Sequence, residues 1–411
     1  MPGRHIELTW PHDPIAYAPK KYLRARRYRA FLPDALVNMP LSLGAEVAGA
    51  VSEAELSIRN LNAEAHPALA PLARLLLRTE SIASSKVEGM QLGVRELARA
   101  EVRAAAGGKA SPTALEIIAN IAAMDVAVHR AAAAHRFAVT DIIAIHRRLM
   151  ANAPDAHIAG RIRTRQNWIG GNDYTPCGAD FVPPPPDAVG ALLSDLCDAV
   201  NEERLPPIVQ AALAHAQFET IHPFDDGNGR AGRALIHVIL RRRGIAPAYV
   251  PPISVVLASA RAQYVEGLMG FRDDRVIEWV DQFAEAASRA AHLANAYLTA
   301  VQELTSRWRA QLARAAAPRA GAAAWALIDV LPAHPMITAQ VAATATRRAR
   351  AAVYQALAEL QDAGVLLPMS QARRNQSWEA AGLLDLLAGL EANRFPVSAN
   401  TRGSRRRPDR M

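Results

Sequence analysis

The sequence predicts a mainly α-helical protein: a helical bundle interrupted by one β-hairpin and followed by a small domain of winged helix-turn-helix type. Three observations carry this. Apolar residues recur at helical spacing along most of the chain. Alanine, the strongest helix former, fills long stretches, and aromatics are only 5% of the 411 residues. β-prone residues around turn signals are confined to "GRIRTRQNWIGGNDYTPCGADFVPPPP" and "LLPMSQARRNQSWEA".

The elements follow in order. Residues 1 to about 40 are basic and proline-rich and read as extended segments over a helical body. "GAEVAGAVSEAELSIRNLN" opens the helices, and "HPALAPLARLLLRTESIASSKVEG" continues them to Gly89, a residue suited to a helix end. "GVRELARAEVRAA" is a helix broken by "GGKASP". "SPTALEIIANIAAMDVAVHRAAA" starts on a serine cap and a first-turn proline, and "TDIIAIHRRLMA" follows with Thr140 as its cap. The hairpin comes next, and Pro183 to Pro186 leave it an exposed edge. "DAVGALLSDLCDAVNEE", "PPIVQAALAHAQFETIH", "GRAGRALIHVILRRRG", "SARAQYVEGLMGF" and a long helix from Val276 complete the body. "APRAG" marks a boundary. Beyond it three helices and a hairpin fit a winged helix-turn-helix. The division is an N-terminal helical region (1–110), a core (111–316), the winged-helix domain (317–390) and a basic, disordered tail (391–411).

Bulk properties narrow the function. Half of the residues are apolar and mean hydropathy is near zero, as in ordinary globular proteins rather than disordered chains. No run of eighteen apolar residues is free of charge, and the N-terminus lacks the apolar core of a secretory signal. Cys177 and Cys197 are too few for a disulfide framework and read as free thiols in a reducing cytoplasm. A net charge of +8 favours polyanionic partners, but much of it sits in "KKYLRARRYR" and "TRGSRRRPDR".

One stretch is hard to explain as packing. "HPFDDGNGRAGR", His222 to Arg233, lies between two predicted helices. Its Gly-Asn-Gly turn places free backbone N–H groups at the second helix's N-terminus, an anion nest backed by the helix dipole. Gly227 and Gly229 permit left-handed backbone and close approach of phosphate oxygens, and Asn228 offers its side-chain amide to the same nest. Arg230 and Arg233 project from the first turn as forked donors suited to polyphosphate. Asp226 is a hard oxygen ligand beside a phosphate site, a setting for Mg²⁺. His222 is the one near-neutral proton acceptor in the group.

At every fixed position this stretch matches the signature HPFx(D/E)GNGRxxR and so resembles the Fic (filamentation induced by cAMP) family. "NWIGGNDYTPCGADFVPPPP" is similar to the family's flap hairpin, and the context of Ser254 and Tyr264 also resembles it; the likeness spans roughly residues 30 to 300. It implies a Fic-fold bundle and protein AMPylation, in which AMP passes from ATP to a Ser, Thr or Tyr hydroxyl of a target protein and pyrophosphate leaves. Carried onto this chain, His222 is the general base and Asp226 the Mg²⁺ ligand. Gly227, Asn228 and Gly229 hold the α- and β-phosphates, Arg230 stabilises their charge, and Arg233 reaches the γ-phosphate. Asp225 occupies the variable position and receives no role. Ile169, Gly170, Gly171, Phe181 and Val182 form the flap, whose open edge would pair with an extended target segment.

A second stretch, "SSKVEG", resembles the family's inhibitory pattern, (S/T)xxxE(G/N), through Ser84, Glu88 and Gly89. The resemblance implies that Glu88 pairs with Arg233, occupying the guanidinium and repelling the terminal phosphate. Alternatives stay open. Glu88 could instead align water to remove AMP from a modified protein, and other nucleotides could serve as donors. The chain could also be a DNA-binding regulator with a nucleotide-sensing core. Arg347, Arg348, Arg350, Arg373 and Arg374 suit phosphate contacts by the C-terminal domain. Dimerisation, including a homodimer, or target docking suits that domain equally well.

Overall fold

A computed structural model describes residues 3–12, 18–63, 70–105, 107–369 and 376–395. The N-terminal extended segments pair with each other: β1 (Gly3–Trp10) runs antiparallel to β2 (Arg26–Pro33), with Gly3 opposite Pro33 and Trp10 opposite Arg26. The helical body follows as α1 (Ala45–Ala63), α2 (Ala70–Val87), α3 (Val94–Ala105), α4 (Pro112–Val126), α5 (Val139–Leu149), α6 (Pro186–Asn201), α7 (Pro207–Ile221), α8 (Asn228–Arg242), α9 (Ile253–Ser259), α10 (Arg261–Arg272) and the 40-residue α11 (Val276–Ala315).

α7 is the centre of the body. Apolar residues lie on all its sides, so it has no polar face to offer water, and all fifteen of its residues are buried. α8 packs against it, with α6 and α11 also lining it, and α1 lies along α11. α2 sits between α4 and α9 and touches α8. Local signals set several ends. Ser111 accepts from Ala114 N–H at 3.3 Å with Pro112 in the first turn of α4. At α5 the expected Thr140 cap is displaced inward: the helix starts at Val139, and Asp141 Oδ2 accepts from Ala138 N–H at 2.9 Å. The carboxylate is the stronger acceptor at a helix N-terminus.

The predicted hairpin is not a ladder. Its strands meet in one isolated bridge, Ile169 opposite Phe181, where Ile169 N–H donates to Phe181 O at 2.8 Å. Gly170, Gly171 and Gly178 have φ of +74°, +75° and +81°, and Asn172 Oδ1 accepts from Tyr174 and Thr175 N–H. Left-handed backbone in both arms of the loop prevents the pairing from extending toward its tip. Phe31 of β2 donates its N–H to Val182 O at 2.9 Å, and Trp10 meets Trp168 edge-on with ring centroids 5.5 Å apart. The N-terminal ribbon therefore backs this loop.

After α11 come α12 (Ala323–Val330), β3 (Met336–Thr338), α13 (Ala339–Thr346), α14 (Arg350–Asp362), β4 (Leu366–Pro368), β5 (Ser377–Ala380) and α15 (Leu383–Glu391). The sheet order is β3-β5-β4, all antiparallel. The strand β3 carries no alternation long enough to announce it in sequence. Arg347, read as part of a helix, has φ of +53° and ends α13, so Arg347 and Arg348 lie in the turn and only Arg350 is on α14. Arg373, Arg374 and residues 396–411 lie outside the described residues. This segment docks on the body through Arg95 of α3, which bonds Glu379 and Asp385 at 3.0 Å each. Among the described residues no helix is long and apolar enough to cross a membrane.

Candidate functional site

The site is built where the chain reverses between α7 and α8. α7 ends at Ile221, and His222 takes φ of +49°, a left-handed conformation uncommon for a residue with a Cβ. Arg163 secures the reversal. Its guanidinium donates to His222 O at 2.8 Å, to Pro184 O at 2.6 Å and to Arg165 O at 3.1 Å, tying the loop to the segment before α6. Asn167 adds a bond from Nδ2 to Phe224 O at 3.0 Å. Burial, with the nearby Arg272 and Arg163 cations, pushes the His222 imidazole down to about 4, so it is an uncharged proton acceptor at neutral pH.

The turn itself is braced from within. Phe224 is buried and stacks on His146, ring centroids 3.6 Å apart. His146 Nδ1 accepts from Gly160 N–H at 3.0 Å, which assigns the ring proton to Nε2, donating to Asp226 O at 2.9 Å. Burial pushes His146 down to about 4, consistent with a neutral ring. Asn228 does not offer its amide to the nest. Its Oδ1 accepts from Phe224 N–H at 2.9 Å and its Nδ2 donates to Phe224 O at 2.8 Å, so the side chain is consumed in closing the loop. Asn228→Ala would leave two buried backbone groups unpaired, and we expect a loss of about 2–4 kcal/mol in urea unfolding. Unchanged stability would show that water replaces the amide.

Gly227 has φ of +77°, and a Cβ there would press on Met150 Sδ, Leu149 and His146. The first N–H groups of α8 have no partner inside the helix and open beside it. A carboxylate occupies that mouth. A Cβ on Gly229 would collide with Glu88 Oε1, which also accepts from Arg233 Nη2 at 2.7 Å. Burial works against the charge on Glu88, but Arg233, Arg230 and Arg261 outweigh it and hold its pKa below the usual carboxylate value. Ser84 takes the rest of Arg233: Nε donates to Ser84 Oγ at 2.9 Å and Nη2 to Ser84 O at 2.8 Å. Arg230 is buried among Asp226 Oδ2 at 3.3 Å, Glu116 Oε2 at 3.6 Å and the sulfurs of Met90 and Met150. Asp226 keeps a largely exposed side chain. Gly89 has φ of +84° just after α2 ends.

The fold thus gathers His222, Asp226 to Gly229, Arg230, Arg233, Ser84 and Glu88 at one helix end. Of the flap positions, Ile169 is exposed and Val182 is buried. Phe181 lies under Arg272, whose guanidinium carbon is 3.5 Å from the ring centroid. Ser254 and Tyr264 are both buried and face inward: Ser254 bonds Glu80, and Tyr264 OH is 2.9 Å from His215 Nε2. Sequence reasoning missed Arg163, His146, Glu116, Glu80 and Glu219. Burial pushes the Glu219 carboxyl up to about 7, in spite of Arg233. The one available signal was a charged residue within an apolar helix, as Glu80 and Glu219 are.

Residues 136–240 match the model of the Fic/DOC family, and residues 49–129 match that of the Fic/DOC family N-terminal region. Among curated proteins, the chain is similar to protein adenylyltransferase fic-1 of Caenorhabditis briggsae, 36% identical over 33% of this chain and 24% of that protein. The Caenorhabditis elegans fic-1 is 38% identical over 32% of this chain and 23% of that protein. The chain therefore spans about a quarter of the length of these relatives. Among solved structures, a Fic family protein from Desulfovibrio desulfuricans G20 shares the fold with a TM-score of 0.51 at 21% identity, covering 84% of this chain and 98% of that one.

Proposed function

We propose that this chain is a protein adenylyltransferase of the Fic/DOC family, autoinhibited by Glu88; the matches of residues 136–240 and 49–129 to the models of that family and of its N-terminal region support the reading. The observation that carries the proposal is the carboxylate of Glu88 lodged between Gly229 and Arg233, where an anion fits. ATP in that position would place its α- and β-phosphates on the N–H groups of α8, with Arg230 beside them and Arg233 at the γ-phosphate. A target hydroxyl attacks the α-phosphorus as His222 takes its proton, the α–β bridging bond breaks, and pyrophosphate leaves. A neutral His222 at pH 7 is the form this step requires. Ile169 to Val182 would seat the target segment.

Among the described residues no group of three or more His, Cys, Asp and Glu could hold a metal ion. Asp226 alone fits a Mg²⁺ ion that brings phosphate and water ligands of its own, neutralising phosphate charge when bound. The test is mass spectrometry of the Glu88→Gly chain after incubation with Mg-ATP and lysate. AMP-mass adducts on hydroxyl residues support the reading, and their absence ends it. Loss of such adducts from premodified protein, in the chain with Glu88 intact, would favour the de-AMPylating reading instead.

The C-terminal elements support a winged helix-turn-helix, with Arg350 and the turn arginines Arg347 and Arg348 exposed for phosphate contact. If that domain binds DNA, retardation of a duplex by the chain should weaken steeply as salt rises, and substituting these three arginines by Ala should flatten the slope by about 3. No retardation at low salt would leave docking or dimerisation as its role. The two free thiols, Cys177 and Cys197, accord with a cytoplasmic setting.

A further inference from the structure

α2 and α8 meet through two polar files. Glu80 and Ser84 on α2 and Glu88 just past its end recur every four residues, as Gly229, Arg233 and His237 do on α8. The contacts run in opposite order along the helices: Glu88 on Gly229 and Arg233, Ser84 on Arg233, Glu80 on His237 at 3.0 Å. The two ends of this ladder differ. Glu80 is fully buried and is held by Ser254, whose N–H donates to Oε2 at 2.8 Å and whose hydroxyl donates to Oε1. Glu88 sits just beyond the last residue of α2 with 37% of its side chain exposed.

Ser84 lies between them and is itself fully buried. Its two bonds to Arg233 are independent of Glu88: one uses the hydroxyl and Nε, the other the backbone carbonyl and Nη2. Losing Glu88 from Arg233 breaks neither. With Nε and Nη2 tethered, Nη1 is the guanidinium atom nearest Gly229. We propose that Ser84 is a positioning residue for AMP transfer, fixing Arg233 so that its Nη1 faces the terminal phosphate of the nucleotide in the uninhibited enzyme as well as the inhibited one. Relief of inhibition is then confined to the end of α2, while Glu80 stays beside His237 of α8 and bonded to Ser254 of α9, keeping the rest of the helix in place. This rests on the adenylyltransferase reading, since it takes Arg233 as the γ-phosphate ligand.

The test compares ATP with ADP, which differ only in the phosphate that Arg233 would hold. Binding of each is measured to the full chain carrying Glu88→Gly, with and without Ser84→Ala, alongside thermal unfolding of both. Ser84→Ala should weaken ATP binding about tenfold and ADP binding less than twofold, with KM for ATP rising and kcat nearly unchanged. Ser84→Thr, which keeps the hydroxyl, should restore the preference for ATP. An equal loss for both nucleotides, or no loss for either, overturns the proposal. So does activation by Ser84→Ala alone as strong as that by Glu88→Gly, which would make Ser84 only an anchor of inhibition. AMP adducts report separately on the reaction: if Glu88→Gly prefers ATP through Ser84 yet transfers nothing, the adenylyltransferase reading fails and the placement of Arg233 stands.

Discussion

Replacing Glu88 by Gly should raise AMP transfer by roughly 30- to 100-fold, equivalent to about 2–3 kcal/mol. On the proposed reading the carboxylate would oppose ATP in two ways. It occupies space against Gly229 that a phosphate oxygen would need, and it spends the Nη2 donor of Arg233 while placing a negative charge beside the phosphates. A fully buried pair would be worth about 3–5 kcal/mol to break, but more than a third of the Glu88 side chain meets water, and screening reduces the figure. Glu88→Gln separates the two effects, because the amide keeps the bulk and removes the charge. It should give an intermediate rate. A Glu88→Gln rate equal to that of Glu88→Gly would make the obstruction purely electrostatic, and no rise in either variant removes autoinhibition from the account. Acid is a poor trigger for release: the neighbouring arginines hold the Glu88 pKa below the usual value, so the carboxylate protonates only as pH falls below the ordinary carboxylate range.

Replacing His222 by Ala in the Glu88→Gly background should lower transfer by about 10²–10⁴-fold, the usual worth of a general base. The pH profile sharpens the test. His222 must be unprotonated to accept the hydroxyl proton, and its pKa is pushed down to about 4 by burial and by Arg272 and Arg163. Hence kcat/KM should stay level from pH 8 down to about pH 5 and fall only as pH approaches 4. An unperturbed histidine would already lose activity near 6.5. Arg272→Gln should move the acid limb upward, since it removes the larger of the two opposing charges. A limb unmoved by that substitution would leave the shift to burial and Arg163, and a fully active His222→Ala would exclude His222 as the base.

Much of the turn between α7 and α8 is legible because it is contiguous. The stretch from His222 to Arg233 needs only one helix end and one helix start to bring its groups together, and the Gly-Asn-Gly turn states where those lie. Helical periodicity likewise locates α2, α7 and α8 without tertiary knowledge. β-prone residues predict a hairpin at 160–186, and three left-handed glycines reduce it to a single bridge. The sequence suggests Asn228 as a nest donor because it sits in the nest; only the folded turn shows its amide spent on Phe224. Arg163 and His146 were missed because single charged or ring residues outside a motif carry no pattern, although they hold the turn in place.

By itself the sequence determined the helical class, the turn that can cradle an anion, and the four-residue spacing that sets Glu80 and Ser84 on one side of α2, with Glu88 just past its end, and Gly229, Arg233 and His237 on one side of α8. Those are local properties, governed by 3.6 residues per turn and by the backbone freedom of glycine. Only the tertiary structure decided that the two files face each other and in which register, with Ser84 on Arg233 and Glu80 sealed against His237 and Ser254. That alignment follows from burial: polar groups carried into a close-packed interior must find partners there, and the partners lie well over a hundred residues away along the chain.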